Sequence, residues 1–155
     1  MDKKKTWMWV GGGIVVLALI LIFVGGSSPS YPPPSGPSSG STPVYAPQGE
    51  LVAGFPTELI LDTSAKTTQS YSINYSSSTD QYTANFSSGQ SMLALYGAYK
   101  TYLTQNGWTI TNDMHSYTSS RGLYATKGNA DASAAIVDQG ATRQVTVTYL
   151  NHGTR

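Results

Sequence analysis

His115 and His152 are the only histidines in this chain of 155 residues, and Asp113 precedes the first of them by two positions. An Asp-x-His pair beside a serine hydroxyl is the raw material of a hydrolytic triad, in which the carboxylate orients the imidazole and the imidazole takes the hydroxyl proton. Serine is so frequent here that a serine near His115 carries little weight, and no G-x-S-x-G elbow occurs. The two histidines form no HxH, HxxxH or HExxH spacing, so nothing sets two imidazoles on one face for a metal. Glu58, Asp62, Asp80, Asp113, Asp131 and Asp138 are the carboxylates from which a glycosidase pair would be drawn, and all fall at expected strand ends or loops. Asn129 and Asp131 fall short of an EF-hand loop in both spacing and charge. The sequence therefore assigns no catalytic, metal or cofactor-binding residue. Asn74-Tyr75-Ser76 and Asn85-Phe86-Ser87 match the N-glycosylation sequon, a pattern that arises readily in a serine-rich chain.

Composition narrows the chemistry further. The chain has no cysteine, which removes disulfides, thiol nucleophiles, zinc–cysteine sites and a lipoprotein anchor together. Net charge is +1, and Lys3, Lys4 and Lys5 carry that excess; from Leu51 onward six basic residues balance six acidic ones. A nucleic-acid partner needs concentrated Lys and Arg, and none is concentrated here.

What must position any outer chemistry starts at the N-terminus. Residues Trp7 to Val24 carry no charge, and at ~1.5 Å per residue they make a helix of about 27 Å, close to the ~30 Å hydrocarbon core of a bilayer. Lysines precede the run and no basic cluster follows it, so the positive-inside bias places residues 1–6 in the cytoplasm and everything after Val24 outside. Trp7 and Trp9 suit the headgroup region at the basic end. The alternative is a signal peptide cut near Gly26, which would release the same domain by secretion. Residues 25–50 are rich in Pro, Ser and Gly, with Pro32-Pro33-Pro34 favouring polyproline II, and read as a disordered, semi-flexible stalk.

Residues 51–150 are the expected folded domain, with 151–155 as a tail. Tyr71–Tyr75 and Tyr82–Phe86 alternate apolar and polar residues and should pair as a hairpin around a Ser76–Gln81 loop. Such a pair would place Tyr71, Ile73, Tyr75, Tyr82, Ala84 and Phe86 on one core-facing side. Met92, Leu95, Tyr96, Tyr99, Tyr102 and Leu103 recur at steps of three and four, which predicts an amphipathic helix over 90–106, capped by Ser88 or Ser91 and ended by Gly107. Trp108–Thr111, Leu123–Thr126, Ala132–Val137 and Val145–Tyr149 are further strand candidates, with polar loops at Ser116–Gly122 and Lys127–Asn129; Glu58–Asp62 is a candidate edge strand. The expected class is α+β: a two-layer sandwich of a mostly antiparallel sheet and one main helix, in the order ββαβββ. With most tyrosines in core phase, Tyr117, Tyr124 and the stalk tyrosines are left as candidate contact residues.

The helix exit reads Tyr99-x-x-x-Leu103-x-x-x-Gly107-Trp108, with Phe55-Pro56 upstream. Over 55–150 this resembles small bacterial envelope proteins that join a single N-terminal membrane helix or signal to an outer domain with that exit. Leu59-Ile60-Leu61 stands where those proteins continue the Phe-Pro start with a further proline. The resemblance implies a fold and an envelope location, and no catalytic residue. The expectation is a single-pass plasma-membrane protein whose outer domain binds an envelope protein or cell-wall partner or plays a structural part, without catalysis and without nucleic acid. The alternatives are a subunit of a surface assembly and a small envelope hydrolase using Asp113 and His115.

Overall fold

A computed structural model describes residues 41–76, 78–115 and 118–153. The expected cytoplasmic tail, the Trp7–Val24 span, the stalk as far as residue 40 and Tyr117 lie outside the described residues. Among the described residues no helix is long and apolar enough to cross a membrane.

Among the described residues the strands are β1 (Val44–Tyr45), β2 (Lys66–Ser76), β3 (Thr79–Ser88), β4 (Thr109–Met114), β5 (Ser120–Lys127), β6 (Ala130–Asp138) and β7 (Arg143–Asn151), with one α-helix, α1 (Met92–Gln105), between β3 and β4. They form one seven-stranded sheet in the order β1-β2-β3-β7-β6-β5-β4, and every neighbouring pair is antiparallel. The α+β class and the antiparallel sheet with a single helix are thus as expected. Four strands follow the helix, one more than the order ββαβββ allows, and β1 adds a seventh from the end of the stalk.

The helix forms where the three-four periodicity places it. The Ser91 hydroxyl accepts from the Ala94 N–H at 3.1 Å and caps the first turn. At the other end Trp108 N–H reaches the Leu103 carbonyl at 3.0 Å while Gly107 sits at φ +74°, the left-handed closure that glycine takes without strain. Met92, Leu95, Tyr96, Tyr99 and Leu103 are buried against Ala84 and Phe86 of β3, Leu123 and Ala125 of β5, Ala132, Ala134 and Ile136 of β6, and Val145 and Val147 of β7. Ala84, Ala125, Ala132 and Ala134 let the helix approach the sheet, and Phe86, Leu123, Ile136, Val145 and Val147 fill the rest. That alternation of size is what close packing of a helix on a sheet requires.

Two expectations fail here for local reasons. Glu58–Asp62 is no strand: Leu59 N–H bonds to the Pro56 carbonyl and Ile60 N–H to the Thr57 carbonyl, each at 3.0 Å, closing a 3-10 turn over Thr57–Leu59. Leu59 is buried in the core by that turn. The Ser76–Gln81 and Ser116–Gly122 loops are also shorter than expected, since β2 runs to Ser76, β3 restarts at Thr79, and β5 begins at Ser120.

The short β2–β3 connection sets a register that changes the faces. Tyr71 lies opposite Thr83, Ile73 opposite Gln81, and Ser70 opposite Ala84. Directly opposed residues in a sheet share a face, so Tyr71 and Ile73 point away from the helix, where Tyr75 joins them by its bond to Gln81, while Ser70 and Ser72 share the core side with Ala84 and Tyr82. The reason is visible above Ser70, whose hydroxyl accepts from Val52 N–H at 3.0 Å and donates to the Thr83 carbonyl at 2.9 Å. The segment carrying Val52, Phe55 and Leu59 lies in the same core cluster, and a small polar residue under it satisfies a backbone group that tyrosine could not.

Candidate functional site

The sequence-level candidates Asp113 and His115 do meet. Asp113 lies on the helix-facing side at the end of β4, opposite Leu123, and its Oδ1 is 3.2 Å from His115 Nδ1. The same carboxylate takes two further donors from the helix. The Tyr96 hydroxyl donates to Oδ1 at 2.6 Å, and Lys100 Nζ donates to Oδ2 at 2.8 Å. Tyr96 and Lys100 are one helical turn apart, so a single face of α1 delivers both. Lys100 and the Tyr96 hydroxyl hold the Asp113 carboxyl down to about 2. Burial and its bond to Asp113 push the Tyr96 hydroxyl up.

Arg121 completes this corner. It opens β5 opposite Ile136, a core residue, and its guanidinium lies 5.3 Å from the centre of the Tyr96 ring. Lys100 Nζ lies 5.6 Å from the same ring centre. Among the described residues no serine hydroxyl bonds to His115, so Asp113 and His115 sit in an ion-pair corner with two cations and a phenol.

Asp62, Asp80, Asp131 and Asp138 are each held by hydrogen bonds. Asp62 is buried and accepts from Ser64 N–H at 2.9 Å, from Ser64 Oγ at 2.7 Å and from the Ser88 hydroxyl. Burial works to raise its carboxyl, but those donors outweigh it and keep it below the ordinary value. Asp80 accepts from Asn74 Nδ2 at 2.6 Å, and Asp138 accepts from Gly140 N–H at 2.9 Å. Asn129 and Asp131 fasten the chain end: Asn129 Nδ2 donates to the Gly153 carbonyl at 2.9 Å and Asp131 Oδ2 meets His152 Nε2 at 2.8 Å. The expected tail at 151–155 therefore starts late, because Asn151 still pairs in β7 and His152 is pinned. Among the described residues no three His, Asp or Glu side chains come together as a metal group.

Sequence reasoning missed the second face of the sheet. Tyr45 pairs with Tyr71 across β1 and β2, and their ring centres are 5.4 Å apart. Tyr45 is 58% exposed and Tyr75 43%, while Tyr71 is buried between neighbours. Beside them runs a chain of neutral hydrogen bonds: Tyr75 hydroxyl to Gln81 Oε1 at 3.1 Å, Gln81 Nε2 to Thr83 Oγ1 at 3.2 Å, and Thr83 Oγ1 to Thr148 Oγ1 at 3.5 Å. Thr146 Oγ1 donates to Asn85 Oδ1 at 2.7 Å on the same face. Asn85 is buried, so of the two sequons only Asn74 is exposed. Among the described residues neither helical element packs on this face; Leu59 and the helix both belong to the opposite core. The perfect alternation of β2 showed that one side of the strand is aromatic. Which side of the sheet that is depends on the turn, and the alternation is silent on the turn.

Compared with protein families, curated proteins and solved structures, the chain gives no match.

Proposed function

We propose that this chain is a single-pass membrane protein that holds one α+β domain outside the cell as a binding module, acting by contact rather than by turnover. The uncharged run Trp7–Val24 behind three lysines supports the anchor and its direction, and the Pro/Ser/Gly stretch supports a stalk. The observation that carries the binding role is the second sheet face, where exposed Tyr45 and Tyr75 stand over a buried neutral layer of Tyr71, Gln81, Thr83 and Thr148. Exposed tyrosine rings with no charged group among them suit an uncharged, hydroxyl-rich partner such as a cell-wall polymer. Tyrosine contributes large contact area at low conformational cost, which is why it recurs in contact surfaces.

Protease treatment of intact cells tests the orientation: cleavage of the domain supports it, and full protection of the domain overturns it. Co-sedimentation of the detergent-solubilised full chain with isolated cell-wall material tests the contact surface. Retention that drops at least tenfold in a Tyr45→Ala/Tyr75→Ala double variant supports the reading. Equal retention of both proteins, or of neither, removes it.

A further inference from the structure

We propose that the corner formed by Tyr96, Lys100, His115 and Arg121 binds a phosphate-type oxyanion, a role independent of the tyrosine-lined face. The corner holds two permanent cations and one protonatable imidazole against a single carboxylate, Asp113. That carboxylate is already fully engaged: Oδ1 takes the Tyr96 hydroxyl and lies beside His115, and Oδ2 takes Lys100. Arg121 is left over. Among the described residues its guanidinium makes no ion pair and no hydrogen bond, and its one contact of note is the face of Tyr96 at 5.3 Å. A guanidinium held over a ring with no N–H partner has its donors free, and its planar fork matches two oxygens of a phosphate group.

Both cations border one aromatic ring. Lys100 and Arg121 both lie within 6 Å of the Tyr96 ring centre, so Tyr96 fixes where the two charges stand. His115 follows Met114, the last residue of β4 and the partner of Gly122, close to the start of β5 where Arg121 sits. Lys100 has three N–H donors, of which Asp113 and the Tyr96 hydroxyl take two. An oxyanion docked on the Arg121 fork thus meets free donors without displacing Asp113, and Lys100 beside the same ring adds a second positive charge. The whole-domain balance of six basic and six acidic residues makes this local excess a feature of placement, since composition hides it.

Two sources supply such a group, soluble phosphate and a lipid phosphodiester, and one experiment separates them. The full chain, labelled for NMR, is placed in vesicles of phosphatidylcholine or of phosphatidylglycerol, and the Arg121 Nε–H signal is followed as sodium phosphate is added against sodium chloride of equal ionic strength. A saturable shift with phosphate in either vesicle assigns a soluble ligand. A signal already shifted in phosphatidylglycerol, and unmoved by added phosphate there, assigns the lipid. In both cases Arg121→Gln should weaken binding at least tenfold, read from the Tyr96 and Lys100 signals, while Arg121→Lys retains part of it; the Trp108 and Tyr149 signals report that both variants stay folded. A shift that is linear in phosphate, that chloride reproduces, or that survives in Arg121→Gln overturns the proposal.

Discussion

The Tyr99 hydroxyl donates to the Leu59 carbonyl at 2.9 Å, joining the middle of the helix to the 3-10 turn forty residues earlier in the chain. Tyr99 is 1% exposed and Leu59 2%, so neither group has water as an alternative partner. Burial pushes the phenol far above its ordinary value, which keeps it a neutral donor. This bond ties the segment between stalk and sheet to the packed layer.

Tyr99→Phe keeps the ring and removes the donor, leaving a buried carbonyl unpaired at a cost of about 1–2 kcal/mol. A domain of this size then melts roughly 5–10 °C lower. Tyr99→Ala adds a cavity and costs roughly 3–5 kcal/mol. Thermal unfolding of the two variants followed by near-UV circular dichroism checks both figures; a Phe variant as stable as the parent would show that the bond contributes nothing.

Acid should loosen the corner at Asp113. Its carboxyl titrates near 2 in the folded chain and near ~3.9 when unfolded. A depressed folded value means the stabilisation is complete above the unfolded value and is lost as the pH falls from about 4 through 2. Lys100 is about half exposed, so solvent screening reduces the contribution to roughly 1 kcal/mol. Asp113→Asn should lower the urea midpoint at pH 6 and leave it nearly unchanged at pH 2. A constant difference between the two proteins across that range would mean the carboxylate charge plays no part.

The helix, its two ends and the last strand were legible because each rests on short-range rules. Ser91 caps, Gly107 closes, and Val145, Val147 and Tyr149 alternate, all within a few residues of the partners that make the pattern meaningful. What escaped depends on distant partners. The side on which Tyr71 falls is decided by its pairing with Thr83 and by Val52 lying over Ser70, eighteen residues back. The corner around Asp113 was half legible: the Asp-x-His spacing is local, but Tyr96, Lys100 and Arg121 reach it only through tertiary packing. Pro56 and the 3-10 turn misled for the opposite reason, since Leu59-Ile60-Leu61 has strand composition and its burial comes from a turn.

Two glycines separate strain from crowding. Gly107 at φ +74° has nothing within 4 Å of an added Cβ, whereas Gly54 at φ +88° would place that atom 2.9 Å from Tyr82 Cε1. Alanine at 107 should cost about 1 kcal/mol, the penalty of a left-handed non-glycine residue. Alanine at 54 carries the same backbone penalty and must also push the Tyr82 ring away, so its melting temperature should fall further. If the two variants melt together, Tyr82 yields without cost.

The register of β2 against β3 decides whether the tyrosine-lined face exists, and the cysteine-free chain makes it directly measurable. Ile73 lies opposite Gln81, so cysteines at these two positions share a face at the Cβ separation of a cross-strand pair, about 4.5–5.5 Å, within reach of a disulfide after a small adjustment. Cysteines at Ile73 and Tyr82 point to opposite sides of the sheet. Mild oxidation of Ile73→Cys/Gln81→Cys should consume most of its free thiols without dimer formation, while Ile73→Cys/Tyr82→Cys should keep both. The reverse outcome would turn Tyr71, Ile73 and Tyr75 back toward the helix, bury them with Ala84 and Phe86, and leave the outer face of β2 to its serines and asparagine, with no aromatic surface to bind anything.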